Sequence, residues 1–323
     1  MEKMIIVGND IFDEFIRDDG YYIDKTELIY ELVAKTRNKV TLFTRPRRFG
    51  KTLTMSMMES FFDIRRDSKE LFEGRKIVEN HPEFCEKWMN QYPVLFLSLK
   101  DVEGLSFADA YGMLEGTVSR LCIKLSELAE KKEVNPADRE TFLRMMHKEA
   151  SLNEIKSSLD TIMRMMKAVY GKPVILLIDE YDVPLAKAEE TKNKEFYRQM
   201  LDVIRGILSI SMKTNEYLKF AVVTGCLRIS KESIFTGVNN FACYSVTSRR
   251  FSQYFGFTQE EVAEMLHAFG HSDKMNMIRK WYDGYIFGNT EVFCPWDVAN
   301  YISELTDDAQ AEPDIKNLKE TMK

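Results

Sequence analysis

Short apolar runs alternate with longer amphipathic stretches along most of this chain. Aliphatic and β-branched residues fill the runs at 40–44, 93–99, 174–178 and 218–224, and a weaker run follows at 243–247. Runs without polar alternation are typical of strands that a parallel sheet buries on both faces. Between the runs, apolar residues recur at three- and four-residue steps, which predicts covering helices. The pattern therefore predicts a three-layer α/β fold with a mainly parallel sheet.

The same pattern predicts how the chain is organised. Residues 1–34 form an N-terminal extension, and 35–250 form the α/β core. A mainly helical insert occupies about 105–170 within that core, and 251–306 form a helical lid. Residues 307–323 are polar and acidic, so we expect a frayed tail or the truncated start of a further domain.

The stretch that follows the first apolar run carries the most specific chemistry. After Thr44 the chain has a loop with arginines, and then Gly50, Lys51 and Thr52 open a helix. A strand, a loop, Gly-Lys-Thr and a helix form the layout of a phosphate-binding loop. The first N–H groups of a helix favour an anion, Lys51 supplies a charge for the β and γ oxygens, and Thr52 supplies a hydroxyl for Mg²⁺.

One position departs from the usual pattern of that loop. The first glycine of G-x-x-x-x-G-K-[ST] would stand at 45, where this chain has Arg45. Arginine does not readily adopt the positive φ that glycine allows. Two interpretations follow: the loop has a different shape, with Pro46 fixing one φ, or the site is a basic turn that binds no nucleotide.

A second stretch supports the nucleotide interpretation. The aliphatic run at 174–178 ends in Asp179 and Glu180. Open α/β sheets bind ligands at the carboxyl ends of their strands, which is where these acids fall. We expect Asp179 to hold Mg²⁺ and Glu180 to orient the attacking water. The other interpretation is that two acids simply end a strand at the surface.

These stretches together resemble the AAA-ATPase-like family of bacterial proteins. The resemblance rests on Asp24-Lys25-Thr26, on Arg45 through Thr52, on Leu177 through Asp182, on Gly225 with Ile229, on Ser233-Ile234-Phe235, on Asn239-Asn240, on Tyr254 through Thr258 and on Trp281 through Tyr285. It covers about residues 5–305 and implies a P-loop ATPase core of the additional-strand division. The arginine-containing loop is that family's own version of the motif. Longer members carry a C-terminal nuclease-like domain of the PD-(D/E)XK type; this chain ends before one would fit, which puts any nuclease activity in doubt here.

The resemblance also assigns roles to further residues. The run at 93–99 lies between the other two in the chain, as an intervening strand of that division would. In related ATPases a polar residue that ends the next strand reads the γ-phosphate, which is the place of Thr224; the alternative is that its hydroxyl caps its own turn. An arginine offsets charge on the phosphoryl group, and we prefer Arg228 over Arg249 and Arg250.

The expected reaction is Mg²⁺-dependent hydrolysis of the terminal phosphate of ATP. The predicted catalytic residues are Lys51, Glu180, Thr224 and Arg228, and the predicted metal ligands are Thr52 and Asp179. The residues expected to contact the nucleotide share one loop and helix start: Arg47, Arg48, Phe49, Gly50, Lys51, Thr52 and Leu53.

Two segments outside the core, one N-terminal and one near the C-terminus, each have two interpretations. The N-terminal segment at 4–36 either lies against the nucleotide base, by analogy with similar ATPases, or packs as a helix capped by Asp24 or Thr26. The aromatic turn at 281–287 either stacks on a base or seals the lid. Thr258 and Glu261 match a capping box, and Gly270 is placed to end that helix.

Composition narrows the classes of partner. Lys and Arg total 45 against 51 Asp and Glu, so the net charge is −6 and a general nucleic-acid coat is not indicated. The five cysteines are scattered, which favours reduced thiols and a cytoplasmic location over a disulfide framework. No apolar run approaches membrane-spanning length. An unknown protein partner and a homo-oligomer both stay open.

Two other functions compete with hydrolysis. One is a nucleotide-gated interaction module that binds ATP with little turnover, in which the bound state orders the lid. The other is a nucleic-acid contact made by Arg45, Arg47 and Arg48.

Overall fold

The structure is a computed structural model, and it describes residues 3–36, 38–226, 234–235, 240–282 and 284–307. The chain divides into two compact units, each made of separate stretches of sequence. The larger unit comprises Ile29–Pro46 and Met58–Ser245. The smaller unit comprises Met1–Leu28, Arg47–Met57 and Val246–Lys323. The boundaries expected from sequence, at residues 34, 250 and 306, stay a prediction.

The secondary structure alternates strands and helices through the first two thirds of the chain. The strands are β1 Val40–Thr44, β2 Val94–Ser98, β3 Val174–Asp179, β4 Leu218–Gly225, β5 Phe241–Tyr244, β6 Phe257–Thr258, β7 Tyr285–Phe287 and β8 Thr290–Phe293. The helices are α1 Phe12–Arg17, α2 Glu27–Ala34, α3 Lys51–Phe62, α4 Lys69–Phe72, α5 Lys76–Asn80, α6 Pro82–Trp88, α7 Phe107–Lys124, α8 Pro136–His147, α9 Leu152–Lys156, α10 Ser158–Tyr170, α11 Val183–Glu190, α12 Lys194–Met212, α13 Gln259–Ala268, α14 Met275–Trp281 and α15 Pro295–Asp307.

The larger unit is built on a five-stranded parallel sheet in the order β2-β3-β4-β1-β5. The fold is therefore α/β with a parallel sheet flanked by helices, as the sequence predicted. The strand that separates β1 from β3 is β4, which follows both in the chain. β2 comes between β1 and β3 in the chain, as predicted, and pairs with β3 at the edge of the sheet. Chain order alone cannot fix this arrangement, because strand pairing is a tertiary event.

The strands are buried as the uniform apolar runs predicted. All residues of β1 and β3 are buried, which only central strands with helices on both faces achieve. One face of the sheet packs against α7, α10 and α12, where alternate strand residues such as Leu42, Leu176 and Val223 join one continuous core. This packing fixes the strand ends relative to one another.

The segment between β2 and β3 is helical, and hydrogen bonds and ion pairs stabilise its helices. Ser151 and Glu154 form a capping box at the start of α9. The Arg164 guanidinium reaches Asp138 of α8 at 2.7 Å and Asp160 of its own helix at 2.5 Å. The pair with Asp138 joins α10 to α8, and the pair with Asp160 stays within α10.

The last strand of the large sheet lies two residues earlier than expected. We predicted 243–247, and β5 covers Phe241–Tyr244, in register with Val40 through Phe43 of β1. The pattern of apolar and polar residues cannot decide between 241–244 and 243–247, because apolar side chains occur in both ranges. Pairing with β1 decides it.

The C-terminal part of the smaller unit is not purely helical. β6, β8 and β7 form a three-stranded antiparallel sheet in that order, and the expected aromatic turn is the first strand of the β7–β8 hairpin. Gly288 in the hairpin turn has φ +58°, and a Cβ there would lie 2.6 Å from the Ser248 carbonyl oxygen. The predicted Thr258–Glu261 capping box is confirmed at the start of α13.

Within the described residues, no helix combines the length and apolar character that a bilayer crossing requires.

Candidate active site

Two neighbouring strands of the large sheet end in polar side chains that bond to each other. Asp179 is the last residue of β3 and is fully buried. Thr224, buried near the end of β4, donates its hydroxyl to Oδ1 of Asp179. The Tyr181 amide then donates to the Thr224 carbonyl at 3.0 Å. The hydroxyl of Thr224 is therefore committed to a carboxylate on the adjacent strand, and not to its own turn.

Glu180 follows Asp179 in a backbone conformation that a glutamate rarely adopts. Its φ is +53°, in the left-handed region. A non-glycine residue held there costs on the order of 1 kcal/mol, and such positions cluster at functional sites. The Cys226 thiol lies 3.7 Å from Oε2 of Glu180. The strained backbone and the thiol together set where the carboxylate points.

Asp182 is a third acid at this edge, and the sequence interpretation gave it no role. Both its carboxylate oxygens accept from the Cys226 amide, at 3.1 and 3.0 Å. Gly225 is required beside it, because a Cβ at 225 would lie 2.4 Å from Oδ1 of Asp182. Asp182 thus fixes the turn that leaves β4. A signal for it existed: an aspartate directly before Val183 and a proline is a common helix start.

Arg45 explains why the usual first glycine of the loop is unnecessary here. Its φ is not in the left-handed region, so this backbone does not need glycine. Its amide donates to the Gly225 carbonyl at 3.0 Å, and Nη1 donates to the carbonyls of Thr44 and Tyr244 at 2.9 and 2.8 Å. Burial lowers its pKa to about 10, so it stays protonated at neutral pH. The side chain is buried, which removes Arg45 from the nucleic-acid contact considered above.

The rest of the loop belongs to the smaller unit. Its residues with left-handed backbone are not at position 45 but further along the chain. Arg48 has φ +67° and Gly50 has φ +74°. Helix α3 then begins at Lys51, which is only 3% exposed, and the Gly50 carbonyl accepts from the amide and hydroxyl of Thr54 at 3.0 and 2.8 Å. The loop therefore has a shape of its own, which does not need glycine at position 45.

The Phe49 side chain is buried in a socket of the smaller unit. It is 2% exposed, and its ring lies 5.0 Å from that of Tyr285 and 5.1 Å from that of Phe287. Gly256 forms the floor: a Cβ there would come within 3.1 Å of the Phe49 ring. The Phe49 side chain is therefore occupied by contacts within this unit.

Arg48 is held by two further residues of the same unit. Its guanidinium lies 4.8 Å from the centre of the Trp296 ring, and the Cys294 thiol lies 3.7 Å from its carbonyl oxygen. Burial raises the pKa of Cys294 to about 12, so the thiol keeps the proton that it donates. Sequence reasoning missed both contacts, since nothing local links residue 48 to residues 294–296.

The remaining predicted residues fall in different places. Arg47 is exposed, and Thr52 and Leu53 are half-buried in the first turn of α3. Arg250 lies over the Phe251 ring at 5.1 Å. Arg228, the preferred arginine, lies outside the described residues.

The described residues contain no cluster of three or more His, Cys, Asp or Glu that would hold a metal. A Mg²⁺ site does not need such a cluster, because one or two carboxylates together with substrate phosphates and water are enough to bind the ion. Asp179, a buried carboxylate at a strand end beside a hydroxyl, suits such a site.

A parallel sheet in this order, with a Gly-Lys-Thr loop after β1 and two acids at the end of β3, defines a P-loop NTPase-like core. A family model described as a predicted AAA-ATPase matches residues 6–235. The chain belongs to this AAA-ATPase-like family.

A curated relative from Azotobacter chroococcum mcd 1 is described as an uncharacterized protein in the vnfD 5′ region. It is 27% identical over 281 residues, which is 87% of this chain and 48% of the relative. The chain therefore spans about half the length of that relative.

Proposed function

We infer that this chain binds ATP with Mg²⁺ and hydrolyses its terminal phosphate, and that the reaction drives or gates a conformational change. One observation carries the proposal: the strand that ends in Asp179 and Glu180 is two positions from the strand that leads into Gly50-Lys51-Thr52, and Thr224 of the strand between them bonds to Asp179. Membership of a predicted ATPase family supports it.

In this proposal the loop binds the phosphates of the substrate. The left-handed turns at Arg48 and Gly50 favour backbone amides that face a phosphate, and the helix start adds a favourable dipole. The loop amides from Arg47 to Leu53 would hold the phosphate oxygens, together with the Lys51 ammonium. Thr52 and Asp179 would hold Mg²⁺, which when bound neutralises phosphate charge.

The strand ends supply the chemistry. Glu180 would accept a hydrogen bond from the attacking water at a carboxylate oxygen and take its proton as the new bond to phosphorus forms. Thr224 would hold Asp179 in place before the nucleotide binds, and would read the γ-phosphate by turning its hydroxyl from Asp179 to a phosphate oxygen. As the new bond to phosphorus forms, the bond from phosphorus to ADP breaks and ADP leaves, and Arg228 would offset the charge on the phosphoryl group being transferred. Catalysis of this kind consists mainly of placement and electrostatics.

Phosphate release by the purified protein tests this assignment. We expect Glu180→Gln to lower kcat about a hundredfold or more while ATP affinity is kept, because the glutamate acts after binding. Glu195→Gln, an exposed glutamate at the start of α12, is the matched control and should leave the rate unchanged. An unchanged rate in Glu180→Gln would exclude Glu180 as the group that activates water.

A nucleotide-gated module with little turnover is the second candidate, and the Phe49 socket favours it. The loop is tied to the β7–β8 hairpin through Phe49. A change in loop conformation on ATP binding would therefore be passed to the hairpin, and a protein partner, nucleic acid or second subunit would read it there. Tight ATP binding, with no phosphate release above that of Glu180→Gln, would support this function over hydrolysis.

A further inference from the structure

The amino ends of β1 and β4, at the opposite edge of the sheet from Asp179, border a separate cavity of about 180 Å³. It is lined by Lys39, which precedes β1, by Thr41 of β1, by Lys219 and Phe220 of β4, and by Trp88 at the end of α6. All of these residues belong to the larger unit. β1 rises about 3.3 Å per residue, so its carboxyl end is roughly 13 Å away from this cavity. The nucleotide function does not use this edge.

The cavity is cationic. Lys39 donates to the Leu218 carbonyl, and its pKa is lowered, first by burial and then by the nearby charge of Lys219. In the part of the chain that the structure describes, neither ammonium lies within ion-pair distance of a carboxylate. Two like charges without an acid between them are unfavourable, and a bound anion would relieve that repulsion.

The walls of the cavity also carry flat apolar surface. The Lys219 ammonium lies 5.0 Å from the centre of the Trp88 ring, and the Trp88 and Phe220 rings are 6.4 Å apart. Asn38 and the buried Thr41 add polar side chains to the lining. Rings of this kind bind a planar apolar group, while the lysines bind its charge.

We propose that this cavity is a binding site for a small monocyclic aromatic anion, an aryl carboxylate or aryl phosphate. The size sets the class, because a cavity of about 150 Å³ is large enough for benzene, and pockets for larger ligands start at about 300 Å³. The ring lies against Trp88 and Phe220. Its charged group lies between Lys39 and Lys219.

Calorimetric titration of the whole chain with benzoate and with phenyl phosphate tests the proposal. Benzoate should bind with a Kd of about 1 mM or lower, and benzamide, its uncharged analogue of the same shape, should bind at least about tenfold more weakly. This comparison needs no substitution, so it is independent of folding. Equal binding of benzamide, or no binding of either anion, would overturn the proposal.

Substitutions then locate the site. Lys39→Met and Lys219→Met should each weaken benzoate binding by about tenfold or more, and Lys132→Met, which removes an equal charge from an exposed loop, should not. Thermal unfolding of each variant shows whether it is folded, and Lys219→Gln replaces any variant that is not. Unchanged affinity in folded variants of both lysines would reject the site.

Competition experiments distinguish a small aromatic anion from ATP and from nucleic acid as the ligand of this cavity. Saturating ATP with Mg²⁺ should leave benzoate binding unchanged, and displacement by ATP would mean that benzoate occupies the nucleotide site instead. A single-stranded oligonucleotide that displaces benzoate and loses affinity in Lys39→Met would mean that this edge binds nucleic acid and not a small ligand.

Discussion

The hydroxyl of Thr224 donates a hydrogen bond to Oδ1 of Asp179, and both groups are buried at the ends of adjacent parallel strands. The carboxylate proposed to hold the metal is therefore oriented by the residue proposed to read the γ-phosphate. A buried carboxylate oxygen that loses its donor pays the full desolvation cost, which makes this pair sensitive to single-atom changes.

Thr224→Val keeps the shape of the side chain and removes its hydroxyl. We expect the free energy of unfolding to fall by about 1–3 kcal/mol, because Asp179 loses a donor in a buried site. Thr224→Ser keeps the hydroxyl and should lose less than half of that amount. Urea denaturation of the three proteins measures the difference. Equal stability of the wild type and Thr224→Val would mean that the bond contributes nothing.

Arg45→Met removes a guanidinium that bonds to the carbonyls of Thr44 and Tyr244. We expect a loss of about 2–3 kcal/mol in unfolding free energy, since a buried charged donor leaves and those carbonyls lose a partner. Arg47→Met is the control in the same loop, because Arg47 is exposed, and it should change stability by less than about 0.5 kcal/mol. Similar losses in the two variants would show that Arg45 does not anchor the loop.

Phe49→Ala empties the socket formed with Tyr285, Phe287 and Gly256. Truncation of a buried phenylalanine costs about 3–5 kcal/mol, and we expect much of this cost to appear as local opening of the loop. Hydrogen exchange of residues 45–55 should speed up, and ATP affinity should fall. Leu105→Ala, at a side chain that is 88% exposed, should change neither. A loop with unchanged exchange in Phe49→Ala would contradict the anchoring role.

The Glu154 carboxylate gives a pH prediction. The Arg144 guanidinium, which bonds to it at 2.5 and 3.0 Å, and the Ser151 amide hold the pKa of Glu154 at about 2, below the usual 4.5. Because the folded-state pKa is depressed, the stabilisation is complete above about 4.5 and disappears as the pH falls through about 2.

Thermal unfolding across pH measures that contribution. Glu154→Gln should melt below the wild type at pH 7, and the gap should close as the pH falls towards 2. Glu133→Gln, at an exposed position, should show no gap at either pH. A gap for Glu154→Gln that is constant with pH would mean that ionisation of Glu154 is not the cause.

The sequence predicted the strands more reliably than their arrangement. β1 has the predicted bounds, and β3 was found within one residue, because uniform aliphatic runs have few other stable environments. The place of β4 between β1 and β3, and the start of β5 at Phe241, depend on pairing across the sheet.

In the candidate site, too, the sequence predicted the residue types but not the contacts between distant parts of the chain. Motif spacing predicted Lys51 in the loop and Asp179 and Glu180 at the end of β3, because a phosphate-binding loop and a metal-binding strand end call for those residue types in that order. The contacts that hold them in place escaped it. Asp182 on the Cys226 amide, and Phe49 in its socket, join residues that are distant in the chain, and no local pattern encodes such pairs.

A crystal structure of the chain with Mg²⁺ and a non-hydrolysable ATP analogue tests the central claim most directly. We expect the Lys51 ammonium at about 3 Å from a β or γ phosphate oxygen, and Asp179 bound to the metal directly or through one water. A triphosphate that contacts Lys51 while its metal lies out of reach of Asp179, or one that binds away from both residues, would contradict the account.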